Sequence, residues 1–309
     1  MGDSHDRTGG MTETSLSELL ERCQFPPAGT SVDCAVSGGA DSLALLVLAT
    51  QAGCTVTAWH VDHGLRQGSD QEGAAVAQVA ASLGASIELM TASVDPGPNL
   101  EARARQARKD LLPSGVLTGH TADDQAETVL LNLLRGAGLP GVAGIGSPQR
   151  RPILNLRRHE TQWVCQNQGL EPLDDPMNAD PRFTRNRVRH EVLPLLAEVF
   201  QRDPVPLLAR HAEHAGQGVA LLQELLADLD PTDTRMLAQQ DPALVRLSVH
   251  HWLTQQRNGL APDAAAVDRV CAVVAHTNQA AEVGGGDRVE RTDGRLRFLP
   301  GCQPTKSSR

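Results

Sequence analysis

Along the first half of the chain, short apolar runs alternate with longer stretches whose apolar residues recur at helical spacing. Residues 31–36 (SVDCAV) read as a strand, and 42–53 (SLALLVLATQAG) as a helix closed by Gly53. Residues 55–63 (TVTAWHVDH) carry β-branched side chains at alternate positions and read as a second strand. An alanine-rich helix over 69–85 opens with Ser69 and Glu72, a capping-box spacing. A third strand (86–94), a helix (100–112), a fourth strand (115–120) and a helix (122–136) follow. Such alternation predicts an α/β domain, a parallel sheet with helices on both faces. Ligands of such sheets bind beyond the carboxyl ends of the strands. The unusual residues, 37–42, 60–66 and 119–127, all follow strand ends.

Beyond about residue 145 the pattern changes. An arginine- and proline-bearing connector (146–158) leads to a short helix (159–169), then to a loop feeding a helix (171–196). Long helical patterns cover 207–229, 241–257 and 262–277, and 288–298 alternates about Asp293-Gly294 as a hairpin does. The expected organisation is a flexible tail over 1–20, an α/β domain over 21–200 and a smaller, mainly helical domain over 201–305 that ends in the hairpin.

Composition narrows the classes. A chain of 309 residues has room for two cores. No run approaches the roughly 20 apolar residues that span a bilayer, and the polar first 14 residues contain no signal-peptide core. The 6 cysteines stand singly, without a C-x-x-C pair, which argues against a zinc ribbon or dithiol redox site. Reduced thiols in the cytoplasm are expected. A net charge of −9 argues against coating of nucleic acid by bulk electrostatics. Local basic surfaces remain, because arginines cluster at 103–108, 150–158 and 182–189. With 0 Tyr, 4 Phe and 3 Trp, a base-stacking platform is not expected.

The chemistry concentrates at Ser37-Gly38-Gly39-Ala40-Asp41-Ser42. The glycines let backbone approach a ligand closely. A strand-to-helix loop also aims several N–H groups at one point, beside the positive end of a helix dipole. Ser37 and Ser42 add hydroxyl donors. Asp41 would repel phosphate unless a cation lay between them, so Mg2+ is its natural partner. The alternative is a tight turn capped by Ser37. No lysine follows the glycines, so this is not a Walker loop.

The hexapeptide resembles the S-G-G-x-D-S signature of the PP-loop ATP pyrophosphatases, which cleave ATP between the α- and β-phosphates. With "HVDHGLR" (60–66), "GHTADDQAETVLLNLLRG" (119–136) and "DDPMNADPRFTRNRVRHEVLPLL" (174–196), the chain resembles the tRNA(Ile)-lysidine synthetase family. The resemblance is good over 30–200 and generic beyond. It implies a PP-loop ATP-binding domain over 21–200 and a tRNA-binding role for 201–305. It also implies attachment of L-lysine to C2 of the wobble cytidine in a CAU-anticodon isoleucine tRNA, through an adenylated intermediate, with reading changed from AUG to AUA. The cofactors implied are ATP and Mg2+, the latter on Asp41. ATP contacts fall to Ser37, Gly38, Gly39, Ala40, Asp41, Ser42, Arg105, Gly119 and His120. Asp41, Asp62, Asp124 and Glu127 are the catalytic candidates, and Asp124 and Glu127 also receive the lysine. Arg66, Arg108, Arg185, Asn186, Arg187 and Arg189 are candidates for substrate contact, and a homodimer is left open.

These residue types suit that task. On an ideal helix Asp123, Asp124 and Glu127 share an arc of about 100°, a costly arrangement without a cation such as Mg2+ or a lysine ammonium. The alternative is an N-terminal cap made by Thr121 and Asp124. Helix spacing places Arg185 and Arg189 on one face, where a surface salt bridge is the plainer alternative. His60 reads more readily as a hydrogen-bonded core residue, and Asp62 and Arg66 are the better candidates for site contacts. Rival functions are a tRNA thiolase, which would need suitably placed cysteines, an amidotransferase-type synthetase, and a silent nucleotide or tRNA binder.

Overall fold

The computed structural model describes residues 15–62, 69–92, 103, 107, 110–146, 148–173, 177, 180–257 and 259–301. The chain divides into two compact units, Met1–Gly216 and Gln217–Arg309.

In the first unit β1 (Ser31–Ala35), β2 (Thr55–Asp62) and β3 (Ser86–Thr91) form a parallel sheet in that order, with Ser31 opposite Thr55 and Thr57 opposite Ser86. The α/β fold expected from the alternation is present. The fourth strand is reduced to one parallel bridge, between Leu117 and Cys34 on the free side of β1. Pairing stops there because the Thr118 N–H turns away to the Arg150 carbonyl at 2.9 Å.

Helix α1 (Leu16–Glu21) precedes β1, α2 (Ala40–Gln51) joins it to β2, and α3 (Ser69–Ser82) joins β2 to β3. Every residue of α2 from Ser42 to Ala49 is buried. A helix apolar all round must be enclosed on all sides. α1 corrects the expectation of a loose tail through residue 20. Ser15 and Glu18 form a reciprocal capping box, and Leu19 is fully buried in the core.

The rest of this unit is helical: α4 (Ala122–Leu134), α5 (Leu139–Val142), α6 (Arg158–Asn167) and α7 (Thr184–Arg187). α7 continues through a π turn (Val188–Val192) into α8 (Leu193–Phe200). The Leu193 N–H bonds to the Val188 carbonyl, a five-residue step. Pro194 offers no N–H to the carbonyl four residues earlier, and its ring crowds that position, which favours the widened turn.

α9 (Val205–Ala227) is one continuous helix despite Gly216 and Gly218. The division between units falls inside it, beyond the boundary expected at residue 200. Ala212 and Ala215 explain the difference, because they pack with Val129 and Val142 in the first unit's helices.

The second unit contains α10 (Thr234–Leu237), α11 (Pro242–Gln256), α12 (Ala264–Val274) and an antiparallel sheet of β4 (Ala280–Gly284), β5 (Asp287–Thr292) and β6 (Arg295–Leu299). The expected hairpin is β5–β6, and β4 is an additional strand. Asp293 (φ 51°) and Gly294 (φ 77°) both adopt left-handed backbone, as a type I′ turn requires. Among the described residues no helix is long and apolar enough to cross a membrane.

Candidate active site

The loop after β1 is wound around one hydroxyl. Ser42 Oγ donates to the Gly39 carbonyl at 2.8 Å, accepts from the Ser37 N–H at 3.1 Å and lies 3.2 Å from Ser37 Oγ. Gly38 sits at φ +87°, and a Cβ there would lie 2.4 Å from Leu173 Cδ1. Its carbonyl accepts the Leu173 N–H at 2.9 Å. Gly39 caps α2, whose first turn carries Asp41. Gly119 is required for a different reason. A Cβ on it would lie 2.5 Å from the Asp41 carbonyl oxygen, so only glycine lets the 117–121 segment rest on the start of α2. His120 Nδ1 bonds Thr118 Oγ1 at 2.8 Å in the same segment.

Three carboxylates and three guanidinium groups meet beside this loop. Arg158, at the start of α6, directs Nε to Asp41 (3.3 Å), Nη2 to Asp124 (3.0 Å) and Nη1 to Glu127 (3.3 Å). Arg185 Nε reaches Glu127 at 2.6 Å and its Nη2 reaches Asp124 at 3.2 Å. Arg189 grips both Glu127 oxygens, at 2.6 and 3.1 Å. The Glu127 side chain has 0% exposure. Thr161 Oγ1 donates to Asp41 at 2.5 Å. Asp124 also accepts the Thr121 N–H (2.9 Å) and hydroxyl (3.1 Å), so the capping alternative and the cluster are both present in one residue.

Burial pushes the Asp41 carboxyl above its ordinary range, against the opposing pull of Arg158 and the Thr161 hydroxyl. Burial acts in the same sense on Asp124, but Arg158, the Thr121 N–H and Arg185 outweigh it and hold that carboxyl below its ordinary value. The same arginine therefore leaves a net rise at one carboxylate and contributes to a net fall at the other.

Asp123 faces elsewhere despite its place in the arc. It accepts from Arg157 Nε at 3.0 Å and from the Arg158 N–H at 2.8 Å, capping α6 from a neighbouring helix. A cavity of about 200 Å³ opens beside it, lined by Glu127, Arg158 and Arg189 together with Leu193, Pro194 and Val205.

The structure thus brings together Ser37–Ser42, Gly119, His120, Asp124, Glu127, Arg185 and Arg189. Asp62 closes β2 at the carboxyl edge of the sheet, half-buried. Asn186 is buried, and its amide donates to the Met177 and Asp180 carbonyls at 2.7 and 2.9 Å. In this structure it pins a loop. Arg187 pairs with Glu191 one turn on, both exposed, and is turned away from Glu127. His60 is a buried core residue, its Nδ1 2.9 Å from the Val36 carbonyl. Arg66, Arg105 and Arg108 lie outside the described residues. Arg158 and Thr161 are the residues that sequence reasoning missed. The arginine cluster at 150–158 was the available signal, but it did not single out Arg158.

Among the described residues no three His, Cys, Asp or Glu side chains form a metal cage. The described cysteines are unpaired. Burial raises the Cys34 thiol to about 12, away from thiolate chemistry.

Known proteins match this chain closely. Residues 11–196 match a family described as a PP-loop domain. A tRNA(Ile)-lysidine synthase of Nocardia farcinica is 43% identical over 74% of this chain and 77% of its own length. One from Salinispora tropica is 40% identical over 87% of this chain and 91% of its own. Among solved structures, the U34-tRNA thiolase NcsA of Methanococcus maripaludis shares the fold, with a TM-score of 0.51 at 15% identity over 65% of this chain and 78% of its own. A glycine loop beside a carboxylate cluster, an identity of about 40% carried through most of both chains, and the PP-loop match agree: this chain belongs to the tRNA(Ile)-lysidine synthase family.

Proposed function

We propose that the protein joins L-lysine to C2 of the wobble cytidine-34 in isoleucine tRNA bearing CAU, using ATP, and so changes its reading from AUG to AUA. The observation that carries this reading is the joining of Asp41, on the phosphate loop, to Asp124 and Glu127 through the single guanidinium of Arg158. A triphosphate end and an amine end then lie within one side chain of each other.

In the first step the cytidine oxygen on C2 bonds to the α-phosphorus and diphosphate leaves. In the second the lysine side-chain amine bonds to C2, AMP leaves with that oxygen, and the amine gives up a proton. Backbone N–H groups at the start of α2 and the Ser37 hydroxyl hold the phosphates. Asp41 would hold a Mg2+ ion, whose charge would stabilise the diphosphate as a leaving group. Asp124 and Glu127 bind the ammonium of lysine, and Arg185 and Arg189 contact phosphate. The tRNA substrate implies that the protein works in the cytoplasm.

The test supplies ATP, Mg2+, labelled lysine and purified isoleucine tRNA with CAU. Label should enter that tRNA and not methionine tRNA. Equal labelling of both, or none in either, overturns the assignment.

A further inference from the structure

Glu127 has no free acceptor in this structure. Its Oε1 accepts from Arg189 Nε (2.6 Å) and Arg158 Nη1 (3.3 Å), and its Oε2 from Arg185 Nε (2.6 Å) and Arg189 Nη2 (3.1 Å). A carboxylate offers about four lone-pair sites, and four guanidinium N–H groups use them. The side chain is also wholly buried. No ammonium can reach Glu127 until at least one arginine leaves.

The three arginines are not equally held. Arg158 is tied to three carboxylates. Arg185 is the most exposed of the three, at 33%, and stands on the four-residue α7. Arg189 stands on the π turn, a widened backbone form found mostly at functional sites. The segment carrying these two arginines is therefore the adjustable side of the cluster.

Removing a guanidinium from a buried carboxylate is costly unless another cation takes its place. Phosphate supplies the other half of an exchange, because guanidinium groups bind it by two parallel, charge-assisted hydrogen bonds. Resting on the reading that Glu127 receives the substrate amine, we propose that Arg185 and Arg189 are displaceable internal counter-ions. They close the amine subsite until phosphate groups of the nucleotide or the RNA draw them off, and lysine then takes their place on Glu127. Amine binding and phosphate binding are thereby coupled, each favouring the other by the same factor. The amine is admitted once the groups that make C2 reactive are in position.

Calorimetric titration of the full chain with lysine tests this. Three conditions are compared: protein alone, protein with a non-hydrolysable ATP analogue and Mg2+, and the latter with tRNA added. The expected result is a rise in lysine affinity of about tenfold or more when the phosphate ligands are present, within the usual range of coupling between sites. Lysine should raise the affinity for those phosphate ligands by an equal factor. In Arg185→Gln, lysine should bind more tightly to the protein alone and the coupling should shrink. The wild-type series stands without that variant should it fold poorly. Lysine affinity that is unchanged by phosphate ligands in the wild type, yet weakened in Glu127→Gln, overturns the exchange and leaves the amine subsite standing. Lysine binding that Glu127→Gln leaves intact in all three conditions overturns both.

Discussion

The shared carboxylate cluster of the first unit and the simple ion pairs of the second obey different physics. In the first unit three arginines share Asp41, Asp124 and Glu127, whose side chains are 25%, 12% and 0% exposed. In the second, Arg246–Asp268 and Arg295–Asp230 stand as separate pairs with side chains 38–59% exposed, and Arg257–Asp287, 13% and 20% exposed, joins one arginine to one carboxylate and is not part of a shared cluster. The second unit is held by an apolar core that includes Leu237, Val249, Leu253, Val270 and Val289. Its exposed pairs lie in water, where such contacts contribute little. The first unit also has an apolar core, around α2. Buried charge networks are weak sources of stability and strong constraints on geometry. Residue types alone do not separate the two sets. Burial and sharing do.

The sharpest way to break this contrast is at Asp41. Asp41→Ala removes the proposed Mg2+ ligand and one partner of Arg158, so diphosphate release from ATP in the presence of tRNA should fall by about 10³-fold or more, on the scale of lost charge-stabilising groups. Arg246→Ala, in an exposed pair of the second unit, should not change that rate measurably. Comparable losses in both would mean that burial is not what distinguishes the two sets.

Glu127 comes next. Glu127→Ala leaves three guanidinium groups facing one another around a cavity, and breaking a buried ion pair from one side costs about 3–5 kcal/mol. Urea denaturation should show that loss. In protein that remains folded, lysine transfer should drop by about 100-fold, while formation of adenylated tRNA falls far less. Equal losses in both steps would assign Glu127 to general architecture rather than to the amine.

A smaller effect is expected from Gly119→Ala. The added methyl would lie 2.5 Å from the Asp41 carbonyl oxygen and 2.8 Å from its carbon. Both are backbone atoms that cannot swing aside. Overpacking of this kind costs about 1–3 kcal/mol, and the displaced loop should raise the KM for ATP more than the KM for lysine. An unchanged KM for ATP would show that the 117–121 segment does not set the loop's position.

Much of the first unit was legible because periodicity is a local property. The period-2 alternation of β2 and the long unbroken apolar run of α2 mark those elements, and the shared face of Arg185 and Arg189 follows from their spacing. What failed was non-local. Arg158 is 117 residues from Asp41 and 34 from Asp124, and nothing in its own neighbourhood distinguishes it from Arg157. Leu19 is buried by segments distant in sequence, and a polar stretch with one short apolar run does not announce that. β4 (AAEVG) lacks the β-branched density that marks a strand, and it forms because β5 offers an edge. Asn186 lies beside the right arginines but spends its amide on loop carbonyls.

The smallest expected effect lies in the second unit and shows how little a visible ion pair can mean. The Asp230 carboxyl is held down at about 2, first by the Thr232 hydroxyl and N–H and only then by Arg295. A carboxyl depressed in the folded state adds stability that is complete above its ordinary value, and this contribution is lost as pH falls from about 4 to about 2. With a side chain 38% exposed, solvent screening keeps the contribution to about 1 kcal/mol or less. The stability difference between wild type and Asp230→Asn should therefore be constant above about pH 5 and shrink through about pH 2, disappearing below it. If the Thr232 hydrogen bonds dominate, most of that difference should survive added salt, since salt screens the exposed pair and not the short hydrogen bonds. A difference that salt abolishes would make Arg295 the real partner. It would then place this pair nearer to the arginine-held carboxylates of the first unit than its exposure suggests.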